Sequence, residues 1–177
     1  MKTLIISALT ALSIAACLNS NASPNQSNSD ASETTQNLSM TDFNLVAGTG
    51  WSGTLSYLDY TKQTRESIPV EFLIDEAKGR SITYAIKFPG EAKYNSREKI
   101  KLSRNGQHLN GDRITERIKL TGGGLKIVTE KSGKDDNRPA TIRTSYILTT
   151  DSFRIRKDVK FSDGTDYFNR NEFSLTR

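Results

Sequence analysis

Ile68-Pro69-Val70-Glu71-Phe72-Leu73-Ile74-Asp75 and, beyond a Lys78-Gly79 turn, Ser81-Ile82-Thr83-Tyr84-Ala85-Ile86-Lys87-Phe88 decide the reading of this chain. Ile68, Val70, Phe72 and Ile74 share one phase of the first segment, as Ile82, Tyr84, Ile86 and Phe88 do in the second. A period of two belongs to a strand buried on one side, because successive side chains point to opposite faces. The pattern spreads outward to Ile100 and Leu102, then to Ile114, Ile118 and Leu120 opposite Arg113, Thr115, Arg117 and Lys119. It returns in Ile142, Tyr146 and Leu148, in Phe153, Ile155, Val159 and Phe161, and in Tyr167, Phe173 and Leu175. Turn-forming stretches fall between these segments: Pro89-Gly90, Asn105-Gly106, Asn110-Gly111, Gly122-Gly123-Gly124, the run from Ser132 to Asn137, and Asp163-Gly164. Asn-Gly and Asp-Gly supply the positive φ that tight hairpins need. No helical period with caps follows residue 42, although Ser39-Met40-Thr41-Asp42 can open one short turn.

About eight to ten strands joined by short hairpins form a meander, and a meander of that size closes on itself to remove its edges. The expected fold class is therefore all-β, a single up-and-down antiparallel β-barrel over residues 42–177. A sandwich would need longer crossing connections. A membrane-spanning barrel would need an apolar outer phase, whereas that phase holds Arg113, Arg117, Lys119, Arg143, Arg154, Arg156 and Lys160. Each would cost about 2–4 kcal/mol at a bilayer midplane.

The barrel segment is basic, with 24 Lys and Arg against 18 Asp and Glu, a net +6 over residues 42–177. The chain has a single Cys and a single His. That excludes a disulfide framework, a cysteine-rich metal site and any multi-histidine centre. Nucleophilic catalysis needs a base beside the nucleophile, and His108 stands in a polar Asn105-Gly106-Gln107-His108 turn. No phosphate loop or nucleophile elbow is present; Gly122-Gly123-Gly124 lacks the following Lys-Ser/Thr. Asp135-Asp136 and Asp163 with Asp166 lack calcium-loop spacing. Neither an enzyme nor a cofactor or metal is expected. Nucleic acid is not an expected partner either, since no aromatic residues interleave with the basic ones for stacking.

Residues 1–16 have the layout of a secretory leader: Lys2, an apolar stretch of about thirteen residues, then Ala15-Ala16 before Cys17. That stretch falls short of the roughly twenty residues a membrane-crossing helix needs. Ile14-Ala15-Ala16-Cys17 resembles the lipobox of bacterial lipoproteins. The resemblance implies cleavage before Cys17, acylation of that residue (palmitate among the acyl chains) and attachment to the cell envelope. Leu18-Asn19 after the cysteine resembles an outer-membrane address, with the domain facing the periplasm. More than one acyl chain meets the physical requirement for stable anchoring. From Asn19 to Asn37, fourteen of nineteen residues are Asn, Ser, Gln or Thr. Such a stretch cannot bury enough apolar surface to order itself, so residues 17–41 are expected to form a tether reaching roughly 25 Å.

Gly48-Thr49-Gly50-Trp51 at the start of the first long strand resembles the opening of the lipocalin or calycin superfamily, and Thr165-Asp166-Tyr167 repeats a short lipocalin motif. The resemblance implies a ligand-binding barrel with Trp51 at its closed end under an Arg from near the carboxyl terminus, Arg170 or Arg177. A haem-binding branch of calycins would use a histidine on an inward strand position, which a turn residue such as His108 does not match.

Two charged residues interrupt the inward phase. Glu116 falls among Ile114, Ile118 and Leu120, and Lys157 among Phe153, Ile155, Val159 and Phe161. One expectation follows from them: a polar spot inside a cavity, in which Glu116 and Lys157, with Tyr146 and Asn171, orient the head of an apolar or amphipathic ligand. A bulge that shifts the phase would account for the same letters. A second expectation, of another class, is a basic outer stripe of Arg113, Arg117, Lys119, Arg154, Arg156 and Lys160 that meets an anionic envelope component or an acidic protein. The interior decides between them, because a cavity of a few hundred Å3 favours a ligand and a filled barrel favours the surface.

Overall fold

Asn110-Gly111 and Asp136-Asn137 each take positive φ at both positions, 55° and 89°, and 49° and 60°. This is the two-residue hairpin geometry that matches the twist of the flanking strands. With such turns the alternating segments become ten strands in the computed structural model, which describes residues 37–177. They are β1 (Thr49–Asp59), β2 (Thr64–Ile74), β3 (Ser81–Lys87), β4 (Ser96–Lys101), β5 (His108–Leu109), β6 (Asp112–Lys119), β7 (Leu125–Asp135), β8 (Arg138–Leu148), β9 (Ser152–Phe161) and β10 (Phe168–Thr176). Every pairing is antiparallel, in the order β4-β3-β2-β1-β10-β9-β8-β7-β6-β5. The result is one nearly closed β-barrel. Its remaining seam lies between β4 and β5, joined by the Leu102–Leu109 bridge and by the Asn110 N–H donating to the Lys101 carbonyl at 2.8 Å.

An up-and-down order sorts the turns to two ends. The segment before β1, the turns after β2, β4, β6 and β8, and the carboxyl terminus gather at one end, here the floor. The turns after β1, β3, β5, β7 and β9 gather at the other, the mouth.

Interior side chains stack in rows across the strands. Leu125, Leu148, Phe153, Leu175, Gly53 and Val70 lie side by side in one row, and Ile127, Tyr146, Ile155, Phe173, Leu55 and Ile68 in the next. Gly53 is required in the first row, since a Cβ there would stand 1.9 Å from the Ser174 carbonyl oxygen and 2.9 Å from the Leu175 Cα.

The floor is closed by residues the sequence reading assigned to the tether and its border. Met40–Leu45 form a 3-10 turn with a reciprocal cap: the Ser39 hydroxyl accepts from the Thr41 N–H, and the Asp42 carboxylate accepts from the Ser39 N–H at 2.9 Å. Leu38, Met40, Phe43 and Val46 are all buried in the core. The barrel domain thus takes in Leu38–Thr41, so its border lies a few residues before Asp42. Full burial of Phe43 and Val46 contributes about 1.5–3 kcal/mol each.

Two further expectations are corrected. The run Ser132–Asn137 is not all turn: β7 continues to Asp135, and only Asp136-Asn137 reverse the chain. In β6 a bulge between Ile114 and Glu116 shifts the register. Beyond it Arg117 sits opposite Ile127 and Lys119 opposite Leu125 on the inward phase, while Ile118 turns outward and is 38% exposed.

Candidate functional site

Lys157 projects from the middle of β9 into the row Thr129, Thr144, Asn171 and Tyr57. Its ammonium lies 2.6 Å from Asp135 Oδ1 at the end of β7. Arg170 reaches the same carboxylate, Nε to Oδ2 at 3.3 Å. It can do so because a second irregularity, between Asn169 and Asn171 of β10, interrupts the alternation there. Arg170 also donates to the Leu58 carbonyl and stacks 4.3 Å over the Tyr60 ring. The Tyr60 hydroxyl, from the β1–β2 turn, donates to Asp135 Oδ2 at 2.6 Å. One carboxylate, 7% exposed, therefore ties β7, β9, β10 and the β1–β2 turn together at the mouth.

Burial alone would raise the Asp135 carboxyl, but the bonds from Lys157 and Tyr60 and the charges of Lys157 and Arg170 hold it below its ordinary value. Tyr60 moves the other way, raised by burial and by its bond to Asp135. The cluster carries one negative and two positive charges, and its polar atoms are engaged with one another. Such a network positions chain segments at a cost in desolvation and gives a strong penalty when one member is removed.

Glu116 does not join it. The β6 bulge carries Glu116 to the outer phase, where it pairs with Lys126 at 2.9 Å while Lys157 pairs with Asp135. The expected inward Glu116–Lys157 pair is thereby overturned. Tyr146 is buried deeper in the apolar interior, and burial pushes its phenol up. Asn171 shares the Lys157 row and is half-buried.

The basic stripe is also redistributed. Arg117 points inward and binds Asp42 at 2.7 Å, so it braces the floor instead of facing a partner, and Lys119 shares that inward phase at the strand end. Arg113 remains outward, beside Glu130 across the ladder. Arg154 and Arg156 remain outward but share Glu172 at 3.3 and 3.7 Å, with Asp158 taking Arg156 at 2.8 Å. Lys160 lies 5.3 Å over the Tyr167 ring. Neighbouring acids thus neutralise much of the wall that was expected to be basic.

Trp51 is buried, donating from Nε1 to the Val46 carbonyl at 3.0 Å. The guanidinium above it is that of Arg177, 4.8 Å from the ring, and not that of Arg170. His108 pairs with Arg113 in the ladder and so lies on the outer phase. Two shallow concavities mark the outer wall. One of about 330 Å3 is lined by Ser56, Arg65, Asn169 and Glu172, and one of about 260 Å3 includes Asp75, Lys78, Arg97 and Lys99.

Sequence reasoning found Lys157 through its break in the alternation and missed Asp135, which is hidden in the polar Ser132–Asn137 run. The available signal was phase: Asp135 is in step with Leu125, Ile127 and Thr129. Cys17 and the leader lie outside the described residues. Comparison of the chain with protein-family models, curated proteins and solved structures finds no match.

Proposed function

We propose that this protein is a cell-envelope lipoprotein, anchored through an acylated Cys17, whose β-barrel is a non-catalytic interaction module that meets an anionic envelope component with its exterior. The observation that carries this reading is the packing of the interior. From the floor upward the barrel is filled by Trp51, Phe72, Phe153, Leu148, Ile127 and Tyr146, all buried. A calycin-like carrier of a small molecule needs an internal space of about 300–1,000 Å3. A filled interior leaves the outer surface as the part able to engage a partner.

The ligand-carrier reading keeps one supporting feature. Interior residues nearer the mouth, Tyr57, Ile68 and Asn171, are only half-buried. Mass spectrometry of the full chain purified from a bacterial envelope, under native and then denaturing conditions, separates the two readings. The expected spectrum shows Cys17 carrying acyl chains and no further small molecule held by the barrel. A stoichiometric non-covalent lipid or apolar metabolite would establish the carrier reading in its place. An unmodified Cys17 would remove the anchor.

A further inference from the structure

We propose that the floor of the barrel is a membrane-facing surface that rests on the anionic headgroups of a lipid bilayer. The residues that carry it come from separate turns which the up-and-down topology brings to one end. Lys78 and Arg80 lie in the β2–β3 turn, Arg104 in the β4–β5 turn and Lys119 at the end of β6, and all four are exposed. They occupy one continuous arc, because β2 through β7 follow one another around the wall once the seam is crossed.

Their acidic neighbours are largely committed elsewhere. Asp75 is held by Arg97, Asp42 by Arg117 and Glu116 by Lys126. Among the turn residues at the floor, Glu76 and, on the far side beyond this arc, Asp151 are the carboxylates outside an ion pair among the described residues. At the mouth, Asp59 and Asp163 are paired with Lys62 and Arg138, and Glu91, Asp136 and Asp166 stand outside any ion pair among the described residues. The basic excess of the domain is therefore polarised toward the floor.

Two independent features point the same way. The large apolar side chains exposed on the wall are Leu73, 51% exposed, and Ile118, 38% exposed. Each stands one residue from the floor end of its strand, Leu73 in β2 and Ile118 in β6. Basic residues with apolar side chains beside them are the composition of a surface that sits at a lipid interface. The chain also comes into the domain within this arc: the Leu38 N–H donates to the Gly106 carbonyl at 3.0 Å, two residues from Arg104. A tether leading back to a bilayer would leave from the middle of the basic patch.

The proposal takes from the anchoring reading only which membrane is met, and its test dispenses with the anchor. The full chain carrying Cys17→Ala is mixed with vesicles of phosphatidylcholine alone or of phosphatidylcholine with phosphatidylglycerol, and the ratio of binding to the two is measured by flotation. Because every variant carries the same leader, the leader does not affect the comparison. Each base near an anionic surface strengthens binding about fivefold. The floor variant K78Q/R80Q/R104Q/K119Q is expected to lower the ratio about a hundredfold or more, and the mouth variant K62Q/K93Q/K134Q/K160Q, of equal charge change, less than about threefold. Equal losses in both variants, or a ratio retained by the floor variant, would overturn the proposal.

A second readout does not depend on charge removal. Cys17→Ala eliminates the only thiol, so an environment-sensitive dye can be placed at Arg104→Cys or Lys134→Cys. On anionic vesicles its emission is expected to shift to the blue at position 104 and not at 134, and the reverse pattern would refute the orientation. Acylation of Cys17 is scored separately by mass, so an unmodified cysteine leaves this result standing, and failed vesicle binding leaves the anchor standing.

Discussion

Replacing Asp135 with Asn keeps the shape of the side chain and leaves Lys157 and Arg170, 21% and 18% exposed, without their counter-charge. Removing one partner of a buried pair typically costs about 3–5 kcal/mol. The partial exposure of both cations places the expected loss near the lower end, about 3 kcal/mol in denaturant unfolding at neutral pH. The native carboxyl is held below its ordinary value, so in acid the unfolded chain binds the proton more readily than the folded one. The contribution of Asp135 is complete above the unfolded value of about 3.9 and is lost as pH falls through the lower folded value. The melting temperature of the natural chain should therefore drop more steeply below about pH 4 than that of Asp135→Asn. Parallel acid limbs in the two proteins would show that the cluster does not contribute as described. Gly53 is a second single-residue constraint. Gly53→Ala forces β1 away from the Ser174 backbone, and a strand shifted in a packed core should cost more than about 3 kcal/mol, read as a loss of folded protein on expression or in urea unfolding.

At the scale of the strand, β6 separates what an alternating pattern reveals from what it hides. Read as one uninterrupted strand, it places Ile118 in the core and Glu116 beside it. The bulge at Thr115 reverses both, and nothing in the letters Ile114-Thr115-Glu116-Arg117-Ile118 marks where the extra residue falls. Ile114→Ala is accordingly expected to cost about 2–4 kcal/mol, and Ile118→Glu to lie within about 0.5 kcal/mol of the natural chain, both by urea unfolding. A large loss at Ile118 would restore the uninterrupted register. Strand number, most hairpin positions and the inward faces of β2, β3, β8 and β9 were legible, because one face buried and one exposed writes a period of two directly into composition; the β1–β2 turn at Tyr60–Gln63 and the β8–β9 turn at Thr149–Asp151, which lack an Asn-Gly or Asp-Gly pair, were not. The candidate site was legible at Lys157 alone. Its partner Asp135 is buried by tertiary closure of the mouth, and a polar hairpin end gives no local sign of that. Arg170 likewise owes its partner to the irregularity in β10, and it was Arg177 that took the place beside Trp51.

For the molecule as a whole, the bases gathered at the floor make any attraction to an anionic surface sensitive to ionic strength, over a screening length of about 8 Å in physiological salt. The strand order carries a different consequence. The first and last strands, β1 and β10, are direct neighbours through the ladder from Ser52–Thr176 to Tyr57–Asn171, while the seam falls in mid-chain between β4 and β5. The wall is therefore made of two half-sheets, β1–β4 and β5–β10, joined by a pairing between its first and last strands. Until β10 docks, β1 presents an unpaired edge, so closing the wall rests on a pairing of long sequence separation, the slow and mispairing-prone kind.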